Sequence, residues 1–391
     1  MTSSHRWIAA LVALILGIGS IVLAMMTIRT HAPVAASASR TRSPIMAGPS
    51  APHPTAPPLN YTLPSAKQTV YVDYYLWWTT QHWHDKLGPR YQYASAPVPG
   101  STDAQGCNPT VAYPGAQIVD VPAEGLYDQT RTATFARHID LAARAGLKGF
   151  LADWQGTGSA TQGPQSSGYN LRFDLMVNEV DSYNSSHRTS FGLGVAYDSF
   201  GDYNRPAAQV IADFTYFYRR YGSNSAFRNV YSSKPIVMWL DSRKYTMQTI
   251  EAVSRAVEPY VYLLGDETAA SWTKDRRLFD GTSYYWSTQD PWNNSHAASA
   301  VAQLASEVRA DGKRWFAPFI VGFDKQLLGG VCVQRRGTQT LAQLWRINGA
   351  THPDGWFGIS WNEFVENTYL EPSKRFGSTY LDALSALIKA S

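Results

Sequence analysis

Two spacings of apolar residues take turns along this chain. Residues 70–76 alternate aromatic and aliphatic side chains and predict a strand. A long connection runs from there to about residue 130, broken by Gly88-Pro89, Pro97, Pro99-Gly100 and Asn108-Pro109. Connections of that length usually carry function or small elements of their own. Residues 131–145 switch to helical spacing (Phe135, Ile139, Ala142, Ala143) and stop at Gly146, a helix C-terminal signal. A short buried strand is predicted at 149–152. The alternation continues with helices at 171–183, 206–221, 247–257, 297–310 and 340–348. Strands are predicted at 191–196, 236–240, 261–264, 283–286, 315–320 and 356–359, and a helix at 380–390 closes the chain. About eight strand–helix units in roughly 320 residues predict an α/β fold of the (β/α)8 TIM barrel class. An open doubly wound sheet would place a glycine-rich phosphate loop after its first strand. Here that strand runs into Trp77-Trp78-Thr79-Thr80.

The front of the chain is different. Residues 7–28 contain no charged side chain, close to the roughly 20 apolar residues that span a bilayer. Residues 1–31 are therefore expected to be an N-terminal transmembrane anchor. Arg29 and His31 intervene before Ala36-Ser37-Ala38 could serve as a cleavage site, so retention is favoured over a signal peptide and a secreted product. Residues 32–65, rich in Pro, Ala and Ser, read as an extended linker. That leaves 66–391 as the folded domain.

Net charge is +4 over 391 residues, with no long basic run, so nucleic acid is not an expected partner. Cys107 and Cys332 are the only cysteines. In a reducing compartment they would be ordinary buried thiols; in an oxidising one they can pair only with each other. Their loops follow the first and seventh strands and leave the same end of a barrel, so a disulfide on the catalytic face is expected. No cysteine cluster exists, and His82-Trp83-His84 lacks metal-ligand spacing, so neither metal nor cofactor is expected. There is no Gly-x-Ser-x-Gly elbow. Gly192-Leu193-Gly194 lies inside a strand and lacks the third glycine of a dinucleotide loop.

Barrel enzymes put their chemistry at the C-terminal ends of the strands. Those ends read Tyr75, Trp77 and Trp78; Asp153 and Trp154; Tyr197 and Asp198; Asp241; Asp266 and Glu267; Trp286; and Asn362, Glu363 and Glu366. Aromatic faces stack on the C–H faces of sugar rings, and carboxylates and amides bond to sugar hydroxyls; ligand pockets combine such walls and groups. Singly, each residue has a plainer explanation. A Trp can be a core plug, Asp198 and Asp241 can cap helices, and Glu363 with Glu366 can be the acidic first turn of the last helix. Their convergence on one face makes Tyr75, Trp77, Trp78, Asp153, Trp154, Tyr197, Asp198, Asp241, Trp286 and Asn362 candidate substrate-binding residues. Glu363 and Glu366 are the candidate catalytic pair, since glycoside hydrolysis usually uses two carboxyl groups. On one helical turn they would lie roughly 5–6 Å apart.

The segment Trp361-Asn362-Glu363-x-x-Glu366-x-Thr368-x-Leu370-Glu371-Pro372, continued by Arg375-Phe376-Gly377 and Tyr380-Leu381, resembles the C-terminal signature of the family 99-like glycoside hydrolases. These are the endo-α-mannosidases and related polysaccharide-biosynthesis proteins. Tyr74-Tyr75-Leu76-Trp77-Trp78 is similar to the family's first strand, and Ala152-Asp153-Trp154-Gln155-Gly156 to the end of its second. The chain departs at Phe364, Val365 and Asn367, the last standing where the family has glycine. Family 71 α-1,3-glucanases share a similar strand-end pattern.

The resemblance implies an endo-acting, retaining glycoside hydrolase for an α-linked polysaccharide, with an α-mannan-like substrate favoured. It implies that Glu366 protonates the leaving oxygen while Glu363 deprotonates the substrate's own 2-hydroxyl, giving an epoxide. As the acid, Glu366 is expected to hold a proton near neutral pH under the push of Glu363, Phe364 and Val365. The alternative is a non-catalytic glycan-binding or surface-polysaccharide assembly protein on the same barrel. A carbohydrate polymer as partner places the domain, expected to be a monomer, on the extracytoplasmic side. Arg29, Arg40 and Arg42 outnumber Arg6 and lean the other way.

Overall fold

A computed structural model describes residues 69–157, 168–199, 201, 203–228 and 231–391. The expected anchor at 1–31 and linker at 32–65 lie outside them; among the described residues no helix is long and apolar enough to cross a membrane. The strands in chain order are β1 (Thr69–Tyr75), β2 (Gly149–Trp154), β3 (Gly192–Tyr197), β4 (Ile236–Trp239) and β5 (Tyr262–Asp266). They continue with β6 (Gly281–Ser283), β7 (Arg314–Ile320), β8 (Phe323–Asp324), β9 (Cys332–Val333) and β10 (Gly355–Ile359). All except β8 and β9 close into a parallel barrel in the order β1-β10-β7-β6-β5-β4-β3-β2. The eight-stranded α/β barrel is the fold the alternating periods predict.

Strand periodicity divides each strand between two cores. Tyr71, Leu151, Ala196, Met238, Leu264, Phe316 and Phe357 fill the lumen. Their chain neighbours Val70, Phe150, Val195, Val237, Leu263, Trp315 and Trp356 face outward and pack against the helices. Trp345 from the helix Gln339–Gly349 stacks on Trp356 with ring centroids 3.9 Å apart and planes 2° from parallel. The helix Thr132–Ala145 ends as its sequence announces. Gly146 adopts φ +96°, and its N–H bonds back to the carbonyls of Ala142 and Ala143.

Three expectations need correction. The sixth strand lies at Gly281–Ser283, upstream of the expected 283–286. Tyr284, Tyr285 and Trp286 have the composition of a strand, but the backbone pairing is made at Gly281, where a Cβ would meet the Arg314 carbonyl oxygen at 2.4 Å. A helix not anticipated, Ala269–Asp275, precedes it; Thr268 caps this helix in a reciprocal box with Ser271. Glu363 and Glu366 do not sit on a helix, because residues 364–367 form a turn and the last helix is Thr379–Ala390.

The long connection after β1 begins with the helix Thr80–Leu87, capped by Thr79 accepting from the His82 N–H. Trp78, Trp83, Ile118, Val121 and Tyr127 from this region join Phe364 and Tyr369 in a third apolar cluster. Cys107 is disulfide-bonded to Cys332, Cα to Cα 6.0 Å. That bond fastens the connection to the antiparallel β8–β9 hairpin.

Candidate active site

Parity decides which strand-end residues reach the cavity. Asp153 is two residues beyond the lumen-facing Leu151, and it pairs in register with Tyr75 on β1 and Ala196 on β3. Asp198, Leu240 and Asp266 follow Ala196, Met238 and Leu264 by the same step. These five residues, with Trp77, Tyr285, Lys325, Glu363 and Glu366 among others, line a cavity of about 480 Å³.

One wall is aromatic. Trp77 stacks on Tyr75 with centroids 4.3 Å apart, and on His82 at 5.5 Å. The Tyr75 and Tyr285 hydroxyls are 2.7 Å apart. The other walls are acidic. Asp241 pairs with Arg243 at 2.7 Å and Lys244 at 2.9 Å, and Asp266 pairs with Arg243 at 2.6 Å. Asp241 caps nothing with its side chain, so the capping explanation does not apply to it.

The catalytic candidates share one turn. Glu363 is buried, and its carboxylate accepts the N–H groups of Val365 at 2.5 Å and Glu366 at 3.2 Å. The Ser360 hydroxyl accepts the Glu363 N–H, and the Glu363 carbonyl accepts the Thr368 N–H. Burial first, then the charge of Glu366, pushes Glu363 up to about 8. Glu366 is more open and binds the Lys325 ammonium at 2.8 Å. The raised carboxyl of this turn is therefore Glu363. Phe364, expected beside the acid, instead stacks on Tyr369 at 4.3 Å inside the third cluster.

Asn367 holds this turn together. It adopts φ +54°, a left-handed conformation that glycine takes freely and asparagine tolerates. Its amide donates to the Asp324 carbonyl, and its own carbonyl accepts from Arg335 at 2.5 Å. The departure from glycine thus preserves a left-handed turn.

Several candidates lie elsewhere. Trp78 is fully buried, stacked on Trp83 at 3.7 Å with its indole N–H on the Asn362 carbonyl. Asn362 is also fully buried, exchanging bonds with the backbone N–H and C=O of Tyr75 at 2.8 and 2.9 Å. It ties β1 to the catalytic turn and does not line the cavity. Trp154 and Tyr197 follow and precede inward acids, so they point outward into the helical layer. Trp154 donates to Asn170, and Tyr197 donates to Asp213 while accepting from Arg205. Trp286 lines a separate outer groove with Tyr284.

The sequence reading missed Tyr285, Lys325 and Asp73. Asp73 is fully buried on β1, two residues below Tyr75, and burial followed by the Asp198 charge holds its carboxyl well above the ordinary range. Counting back by two from Tyr75 would have found it. Lys325 comes from the hairpin region and has no local sequence signal.

One group of side chains among the described residues has a metal-like composition: Glu124, His138 and Glu371. Its contacts are those of a hydrogen-bonded brace. His138 Nε2 is 2.9 Å from Glu124 and 3.1 Å from Glu371, and its Nδ1 is 2.8 Å from the Tyr74 hydroxyl. Tyr127 donates to Glu371 at 3.0 Å, and Arg137 pairs with Glu124. Burial pushes His138 down to about 3, which leaves a neutral imidazole as the link between these elements.

No family model matches this chain, and no curated protein does. Solved structures do. The GH99 endo-α-mannosidase from Bacteroides thetaiotaomicron superposes with a TM-score of 0.62 at 16% identity, covering 83% of this chain and 97% of that one. Its complex with Bis-Tris-propane gives 0.63 at 15% identity, over 82% and 97%. A glycoside hydrolase-like protein gives 0.57 at 13% identity, over 86% and 97%. The chain therefore has the fold of the GH99 endo-α-mannosidases over nearly their whole length.

Proposed function

We propose that this protein is a glycoside hydrolase that cuts inside an α-linked polysaccharide with retention, an α-mannan-like glycan being favoured. The observation that carries the reading is the buried Glu363 beside the lysine-paired Glu366, in a barrel-end cavity with an aromatic wall. Two carboxyls that differ in exposure and in charged neighbours suit acid and base roles. The family resemblance of the catalytic turn supports this choice of substrate, and the shared fold supports a glycoside hydrolase. Residues 1–31 are proposed to anchor the domain on the extracytoplasmic side, where such a glycan would be met.

In the forward reaction Glu366 gives its proton to the glycosidic oxygen as the C1–O bond breaks. Glu363 takes the proton of the 2-hydroxyl, whose oxygen closes on C1. Water then attacks C1 and gives a proton to Glu366, while Glu363 returns its proton to O2 as the C1–O2 bond of the epoxide breaks. Burial raises the Glu363 carboxyl, and a sugar hydroxyl donating to it favours the ionised form that the base role needs. Trp77, Tyr75 and Tyr285 would form the aromatic wall against which the sugar lies.

The test is the leaving-group dependence of Glu366→Gln. Turnover of the natural polysaccharide should fall by about 100-fold or more, while an activated aryl glycoside should retain much more activity. Wild-type turnover of the polysaccharide by this variant would remove the assignment. Failure of every α-glycan to be cut by the wild-type protein, with retardation in an α-glycan affinity gel, would leave a binding protein instead.

A further inference from the structure

Among the described residues that line the cavity, Asp153 is the one carboxylate whose two oxygens are both buried without a hydrogen-bond partner, a state that Asp73 on β1 shares. It is 1% exposed. Asp241, Asp266 and Glu366 have basic partners on the protein, and Glu363 has two backbone N–H groups. What faces Asp153 is of its own sign: Asp198 after β3, Asp73 on β1, and Glu363 after β10. Burial, then Asp198, Asp73 and Glu363, hold the Asp153 carboxyl well above the ordinary range, and a cation brought against it favours its ionised form. A sugar hydroxyl brings one hydrogen and no charge. A protonated primary amine brings three N–H donors and the opposite charge, the combination that bonds most strongly to a carboxylate.

We propose that Asp153 is the centre of a subsite for a protonated amino group, so that one sugar of the α-linked glycan taken by this cavity can carry a free amine. The proposal rests on the glycosidase reading only in taking the ligand to be a sugar. The amine belongs to a ring other than the one whose 2-hydroxyl meets Glu363, because that ring needs its hydroxyl. Trp77 and Tyr75 line the same cavity.

Calorimetry on the full chain carrying Glu366→Gln, so that no ligand is consumed, tests the subsite. The probes are α-mannotetraoses in which one ring is replaced by its 2-amino-2-deoxy counterpart, the same ligands N-acetylated, and α-mannotetraose itself. The free-amine ligand should bind about ten-fold or more tightly than the acetylated one, the margin of one charge-assisted hydrogen bond. Adding Asp153→Asn should abolish that preference. Equal affinity for the amine and acetyl forms in the protein that retains Asp153 overturns the proposal, whether or not the Asn variant folds. So does stabilisation by calcium that depends on Asp153, which would make the site a metal site. Amine preference in a protein that cleaves no glycan would sink the hydrolase reading and leave this one standing.

Discussion

Replacing Glu363 with glutamine should make the protein more stable and inactive at once. Burial, then Glu366, raises this carboxyl from 4.5 to about 8. The unfolded chain releases the proton near the ordinary glutamate value, whereas the folded protein keeps it to about 8. Stability is therefore full at low pH, falls as pH rises through that interval, and levels off above it. One proton over this interval, at about 1.4 kcal/mol per pH unit, amounts to about 5 kcal/mol, of which roughly 3 is lost by pH 7. Glutamine cannot ionise, yet its carbonyl oxygen can still accept the Val365 and Glu366 N–H groups. The variant should match wild type at about pH 4 and exceed it by about 3 kcal/mol at pH 7. Urea unfolding at pH 4, 7 and 8.5 measures this directly. Turnover should drop by about 100-fold or more on good and poor leaving groups alike. A stability difference that does not change with pH, or a variant less stable than wild type at pH 8.5, would mean that Glu363 is ionised in the folded protein and would refute the reasoning.

Three further outcomes follow from the same geometry. The Lys325 ammonium lowers the pKa of Glu363, so Lys325→Met should move the acidic limb of the kcat/KM profile to higher pH; an unmoved limb would detach Lys325 from the pair. Cys332→Ser should lower stability by about 2–4 kcal/mol, read by chemical unfolding of the oxidised protein, with no effect expected if reductant is present for both. Trp77→Ala should fold normally and raise KM, whereas Trp78→Ala, which empties a fully buried site, should cost about 3–5 kcal/mol in unfolding free energy; equal behaviour of the two would contradict the division between cavity wall and core.

The barrel was legible in the sequence because strands and helices leave different periods, and because glycine and capping signals such as Gly146 act locally. Where a short strand is defined by backbone approach, as at Gly281, the aromatic run beside it misleads. Site residues were legible only in part. Trp154 and Tyr197 were nominated beside Asp153 and Asp198, although adjacent residues of a strand face opposite sides and one of each pair had to point into the helical layer. The same parity, counted back from Tyr75, reaches Asp73. Asn362 looked like a sugar ligand because an amide beside two glutamates carries no mark of what it bonds; only the fold brings the Tyr75 backbone to it. Lys325 and Tyr285 reach the cavity through tertiary placement, which no local pattern records.

The most direct test of the proposed activity is the release of reducing ends from a panel of α-mannans and α-glucans, run in parallel with wild type, Glu363→Gln and Glu366→Gln. Hydrolysis predicts that wild type shortens at least one α-linked polymer to oligosaccharides, that Glu363→Gln abolishes this, and that Glu366→Gln reduces it most for unactivated substrates. No release by wild type from any polymer, or equal release by all three proteins, would contradict it.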